Sequence, residues 1–525
     1  MMTRRHYASL WVFGAVMAAV AAVWVRSPGY MDADYYYATA RVLISGGRLQ
    51  VPFLWNYLAT SHLGLPQPAH LYWMPLTTFL SALSMAVLGR SFLAAQVPSL
   101  FFTASVPPLT AWMAVKLGAR SRNALIAGGL SGFSGFYLPF FVTTDAFASF
   151  CVVGALALWT IAVGPGHRPR LWLVAGLLAG LGHLARADGL LLLMLAIGVW
   201  LVSGTRKPAS LLSLVGGYLV VMAAWFLRMW RVAGGPLSPG GLKAAWLSNY
   251  NQLFAYPSDG LTPSHWLASG VGPILQAWIA AAKLNLTGLI LVNGLVFLTV
   301  LMAVGMWRLR HERPVRVVAI YLAGELALMT VVFPFPGSRG GFFHSSTAAM
   351  PLLWAVTPMG LQVLVDALHH RRGWDARRSM AVFGIGSVAI AAVATGYLLT
   401  SRQILPDRVG RGWGAADSAY RAAAGPVLSD QAGDTVVAVN NPPGFWLASG
   451  LSSVVSPDGG PQALARVVED LGVRWVVLEH NHPPGLDGLY DEPTSIPWLA
   501  VAATTTDGYG RPMYTLRVVD EVPLP

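Results

Sequence analysis

The sequence predicts an α-helical polytopic membrane protein with a small soluble α/β domain at its C-terminal end. Hydrophobic residues make up 55% of the 525 and charged residues only 11%, with a mean hydropathy of +0.55, a balance that a globular surface cannot carry. Runs of roughly 18 or more apolar residues, enough to cross a ~30 Å hydrocarbon core at 1.5 Å per residue, recur between residues 7 and 400. After about residue 401 the chain changes character, with fourteen acids against eight basic residues and short β-rich runs.

The expected spans are 7–25, 92–115, 123–141, 146–163, 171–185, 189–203, 209–229, 285–307, 315–334, 347–366 and 379–400, eleven in all. Their orientation follows from the net charge of +12, which gathers in short loops: Arg4 and Arg5; Lys116, Arg120 and Arg122; Arg168 and Arg170; Arg206 and Lys207; Arg308 to Arg316; Arg371 to Arg378. Placing these loops in the cytoplasm satisfies the positive-inside bias and accounts for the basic residues without nucleic acid. The N-terminus is then cytoplasmic, the C-terminal domain extracytoplasmic, and the expected location is the plasma (inner) membrane. This solution requires residues 70–89, opening with Tyr72-Trp73, to lie at the outer interface without crossing. The first segment imitates a secretory signal, but its apolar run continues through Val25 into an acidic motif that needs an anchor, so it is expected to be retained.

Two units are expected, a membrane domain over 1–400 with long outer loops at 26–91 and 230–284, and an extracytoplasmic domain over 401–525. In the tail, Val436 to Val439 and Trp475 to Leu478 read as strands and Gln462 to Leu471 as a helix between them. No repeat at 20–50 residues is visible. Cys151 is alone, so there is no disulfide framework or thiolate metal site, and Walker A and dinucleotide fingerprints are absent.

The run Gly29-Tyr30-Met31-Asp32-Ala33-Asp34-Tyr35-Tyr36-Tyr37 puts two carboxylates at the membrane surface directly after the first span. Acids there are more often functional than on a soluble surface. In a helix Asp32 and Asp34 diverge by about 200°, so only one can enter a shared site. The same topology collects His62, His70, Asp145, Arg186, Asp188, Arg228, Arg231, Lys283, Arg339 and His344 on the outer side. Carboxylates beside cations suit a substrate with a hydroxyl to deprotonate and a phosphate to neutralise, and arginine is the better phosphate clamp. Bland readings stand beside these: Asp145 can cap the helix that follows it, and Arg186 and Asp188 can be a local pair at a turn. Glu325 lies mid-span and needs a partner or a proton.

The order of parts resembles the GT-C superfamily of polyprenyl-phosphate-sugar-dependent glycosyltransferases, and within it the protein O-mannosyltransferases and the lipid A aminoarabinose transferases. In that family the first loop carries an Asp-Glu motif, a Tyr four residues after the Asp, and Ala-Arg further on. Asp32, Tyr36 and Ala40-Arg41 match, while Ala33 stands in place of the Glu and leaves Asp34 as a substitute second carboxylate. A Lys that usually opens the Pro-rich outer helix is missing, and His70 stands where it could take over the phosphate contact. Asp145 matches the second acidic position.

The resemblance implies an inverting sugar transfer with Asp32 as base, Asp34 and Asp145 as further catalytic candidates, and Tyr36, His70, Arg186, Asp188, Arg339 and His344 as binding residues. It implies a polyprenyl-phosphate sugar donor and a lipid, glycan or protein acceptor. No cofactor is certain, and a divalent cation is left open. The competing readings are a secondary transporter, for which no inverted repeat is found, and a non-enzymatic assembly protein.

Overall fold

The protein is described here from a computed structural model covering residues 2–59, 64–164, 169–204, 206–401, 413–430 and 435–519. Helix α1 (Arg4–Trp24) shows how its helices pack. Leu10, Gly14, Ala18 and Ala21, spaced four, four and three residues apart, are buried, while Val12, Val16, Val20 and Val23 at the same spacing are exposed. The buried stripe is small because it must let a second helix close: a Cβ at Gly14 would lie 2.7 Å from the Ala104 carbonyl oxygen on α4 (Phe92–Lys116). The exposed valines form a face suited to lipid. A Gly14→Leu change would separate the two helices.

Between these two lie α2 (Met31–Ile44) and α3 (Leu76–Leu88). The 13 residues of α3 span about 20 Å at 1.5 Å per residue, short of a hydrocarbon core, and Tyr72 and Trp73 before it pack on Trp55, the Trp55–Trp73 rings stacked at 3.9 Å. There follow α5 (Ser121–Gly132), α6 (Tyr137–Phe141), α7 (Phe147–Val163), α8 (Pro169–Ala185), α9 (Leu190–Val202) and α10 (Pro208–Ala233). Seven helices among the described residues are long and apolar enough to cross a membrane, with shorter apolar helices packed among them.

Two expected spans are corrected. The run 123–141 divides into α5 and α6 at Phe133 to Phe136, where Gly135 turns with φ +61°. The run 285–307 is split as well: a helix over Val271–Asn293 begins inside the expected 230–284 loop, and a separate helix, Phe297–Arg308, starts after positive φ values at Leu295 and Val296. Apolar composition runs unbroken across both breaks, which is why hydropathy hid them.

Eight strands occur among the described residues: β1 (Gln50–Val51), β2 (Phe53–Leu54), β3 (Gln67–Pro68), β4 (Val436–Val439), β5 (Ser452–Val455), β6 (Val473–Leu478), β7 (Leu499–Thr506) and β8 (Pro512–Val518). Six form one sheet in the order β2-β5-β4-β6-β8-β7. Its four strands from β2 to β6 are parallel, and β8 and β7 are antiparallel. The edge strand β2 comes from the first loop, so the sheet is shared across the expected division at residue 400. One hydrophobic core accordingly joins Tyr35, Tyr36 and Phe53 to Val454, Leu464 and Val476.

Candidate functional site

Asp32 sits on the first turn of α2, Asp145 immediately before α7, and His344 after a kink at Arg339 and Gly340 in the long apolar segment Pro334–Arg372. The fold brings these three elements together: the ligating atoms of Asp32, Asp145 and His344 all lie within 4.8 Å of one another. Asp145 is held from three directions. Its Oδ2 accepts from the Tyr30 hydroxyl at 2.6 Å and faces His344 Nε2 at 3.0 Å, and its Oδ1 accepts from the Ala146 N–H at 2.5 Å. Helix capping alone does not describe a carboxylate so engaged.

His344 is oriented from behind. Its Nδ1 donates to the Gly340 carbonyl at 2.9 Å, and its ring stacks on Phe147 at 3.7 Å. That leaves Nε2 turned toward the two carboxylates, the arrangement in which a second hydrogen bond sets the tautomer of a ligating imidazole. Two carboxylates and this imidazole make a donor set that fits a divalent cation. Burial, then the charge on Asp145, pushes Asp32 up to about 7, against the pull of His344 and Arg186. Burial would raise Asp145 too, but His344, Tyr30 and the Ala146 N–H outweigh it and hold that carboxylate low.

The cations surround this cluster unequally. Arg186 gives its fork to Asp188, Nε to Oδ1 at 2.9 Å and Nη2 to Oδ2 at 2.6 Å, while its charge is felt by Tyr36, Asp32 and Asp145. Arg339 is exposed, has no carboxylate partner among the described residues, and lies over the Tyr250 ring at 4.1 Å. Tyr250 connects it to the cluster: its phenol is raised by burial and by the charge on Asp32, and lowered by Arg339. Beneath the Arg186 turn, Glu325 is fully buried and feels Asp188 and Arg186. The Tyr321 and Ser345 hydroxyls lie beside its carboxyl, although the Tyr321 hydroxyl donates to the Ser345 carbonyl at 2.9 Å.

Two candidates lie elsewhere. Asp34 faces away from Asp32, accepting from Asn441 Nδ2 at 2.8 Å, and burial pushes it up to about 7 against that bond. It joins α2 to the tail, and the carboxylate that lies beside Asp32 is Asp145. His70, with φ +63°, is buried among Tyr35, Tyr36, Trp73 and Trp225. Burial and then Arg228 push it down to about 3, so its ring is neutral and ill suited to a phosphate contact. Arg228 itself holds the first loop by donating to the Leu49 and Ala69 carbonyls. Arg231 and Lys283 are exposed on helices, and His62 is outside the described residues. Sequence reasoning passed over Tyr30 and Tyr250; Tyr30 lay within the acidic motif, but nothing near Tyr250 signals its place.

No family model and no curated protein matches the sequence. Solved structures do. The archaeal oligosaccharyltransferase AglB from Archaeoglobus fulgidus, in complex with an inhibitory peptide and a dolichol-phosphate, aligns with a TM-score of 0.53 at 13% identity over 90% of this chain and 69% of its own. The Archaeoglobus fulgidus oligosaccharyltransferase in complex with Zn and sulfate gives 0.54 at 13% over 98% and 74%. ArnT from Cupriavidus metallidurans, bound to undecaprenyl phosphate, gives 0.51 at 14% over 98% of both chains. The chain has the GT-C fold. At these identities the likeness is one of fold, and the chain's chemistry has to be argued from its own residues.

Proposed function

We propose that this GT-C chain is a membrane glycosyltransferase that moves a sugar from a polyprenyl-phosphate donor to an acceptor hydroxyl at the extracytoplasmic face, with inversion at the anomeric carbon. The observation that carries the reading is the meeting of Asp32, Asp145 and His344 within 4.8 Å, with the Arg186 charge acting on both carboxylates, on a fold shared with proteins solved with dolichol-phosphate and undecaprenyl phosphate. Asp32 takes the acceptor proton as the hydroxyl oxygen attacks the anomeric carbon. A carboxylate placed beside the attacking hydroxyl can take that proton. The bond from that carbon to the phosphate oxygen breaks, and the departing phosphate gathers negative charge that needs a fixed cation.

Arg339 is the better placed cation, because Arg186 already spends its fork on Asp188. Tyr250 holds the Arg339 guanidinium on its ring face. Asp145 fixes His344 and Tyr30 around the base. Asp32, Asp145 and His344 Nε2 would hold a divalent cation, which when bound supplies positive charge to the phosphate.

The test is transfer itself. Purified protein in liposomes is given a radiolabelled polyprenyl-phosphate sugar and candidate hydroxyl acceptors, and the anomeric configuration of the product is read by NMR. Product of inverted configuration supports the reading; retained configuration, or solute flux without transfer, rejects it.

A further inference from the structure

On the face of α2 opposite Asp32 lies a cavity of about 200 Å³. Asp34, Tyr37 and Arg41, three and four residues apart, form one wall from α2, and Asp417 and Arg421 of the helix Ala415–Ser429 form the other. Its floor is the link from Arg26 to Gly29. That link follows directly on α1, and Phe92, the first residue of α4, also lines the cavity. Two helices long and apolar enough to cross a membrane thus end beside it, the position expected where an apolar layer meets water.

The charges do not cancel. Arg421 is matched by Asp417, Nε to Oδ2 at 3.0 Å and Nη2 to Oδ1 at 3.1 Å. Among the described residues Arg26 uses only its Nε, on the Val23 carbonyl, and Arg41 rests near the rings of Tyr37 and Trp446. Neither Arg26 nor Arg41 has a carboxylate partner among the described residues, and both are exposed. Asp34 is the remaining acid, already tied to Asn441. The walls are also built to meet: a Cβ at Gly29 would lie 2.4 Å from the Trp413 indole, and one at Gly414 would lie 2.2 Å from Ser27 Oγ. Two guanidinium groups without a carboxylate partner, beside a tail packed this closely on the α1–α2 link, make a site for an anion with several oxygens. The volume falls below the ~300 Å³ at which drug-sized pockets begin, so it admits a headgroup and not a lipid-linked sugar.

We propose that this cavity binds the phosphate of an anionic lipid headgroup, or a free phosphate, through Arg26 and Arg41 at the membrane surface, apart from the Asp32 site.

Full-length protein in a neutral detergent is titrated separately with short-chain phosphatidylglycerol, short-chain phosphatidylcholine and inorganic phosphate, with binding read by calorimetry. Saturable binding of phosphatidylglycerol, weakened by about tenfold or more in the double variant Arg26→Gln/Arg41→Gln and kept in Asp32→Asn, supports the site; tenfold is the order expected for a lost charge-assisted bond. Equal affinity for inorganic phosphate, lost in the same double variant, also supports it and assigns the source to the free anion. Phosphatidylcholine bound as tightly as phosphatidylglycerol, no saturable binding of either anion, binding indifferent to the double variant, or loss in Asp32→Asn would each overturn it. Both arginines are exposed, so the variant is expected to fold, and an unchanged melting temperature without ligand checks that.

Discussion

His344 Nε2 lies 3.0 Å from Asp145 Oδ2 across 199 residues of sequence, with His344 Nδ1 already committed to the Gly340 carbonyl. The contact joins the helix start after Asp145 to the kink after Arg339. Anything that moves one of these elements moves the charge distribution around Asp32.

If these groups hold a divalent cation, transfer is expected to fall on treatment with a chelator and to return on adding one divalent ion. His344→Gln keeps a polar side chain but removes the imidazole ligand, and is expected to weaken the ion at least tenfold. Activity of the wild type unaffected by exhaustive chelation would show that the trio works without metal.

The two arginines are expected to fail differently. Arg339→Gln removes an exposed, unmatched cation, so stability should hold while transfer falls by about a hundredfold, the scale of one lost charge-stabilising donor. Arg186→Gln leaves Asp188, 6% exposed, without its counter-charge, and is expected to cost about 3 kcal/mol of stability. Replacing the pair together, Arg186→Met with Asp188→Leu, should restore much of that stability. Thermal melts beside transfer assays separate the two cases.

Much of this organisation was legible in the chain. Apolar runs located α1, α4 and α7 to α10 because lipid exposure leaves a compositional mark. The breaks at Phe133 to Phe136 and Gly294 to Val296 left none, since they change backbone direction within apolar sequence. Topology put Asp32, Asp145 and His344 on one side, but their approach to 4.8 Å depends on a kink at Gly340, with φ +130°, that no periodicity announces. Asp34 was ambiguous for a related reason: its partner Asn441 is 407 residues away. The two-residue strand β2 is too short for any alternation to show, so the tail's dependence on the first loop could not be read.

The tail carries its own titration. Burial pushes Glu479 up to about 7, against a bond from the Tyr420 hydroxyl at 2.7 Å. The folded tail therefore keeps a proton that the unfolded chain releases near its ordinary 4.5. Between those values the folded state binds more protons, so stability is fullest below about 4.5, declines as pH rises through about 7, and levels above it. The slope is at most about 1.4 kcal/mol per pH unit for one proton. Hydrogen exchange of the β6 amides in the full-length protein, corrected for intrinsic rates, should show this decline, and Glu479→Gln should flatten it.

The most direct test compares Asp32→Asn with Asp34→Asn and the wild type in one liposome transfer assay at matched protein levels. Loss of the base predicts a fall of about a hundredfold or more for Asp32→Asn, with membrane insertion unchanged and Asp34→Asn much closer to the wild type. Asp32→Asn retaining most of the transfer activity would contradict the account.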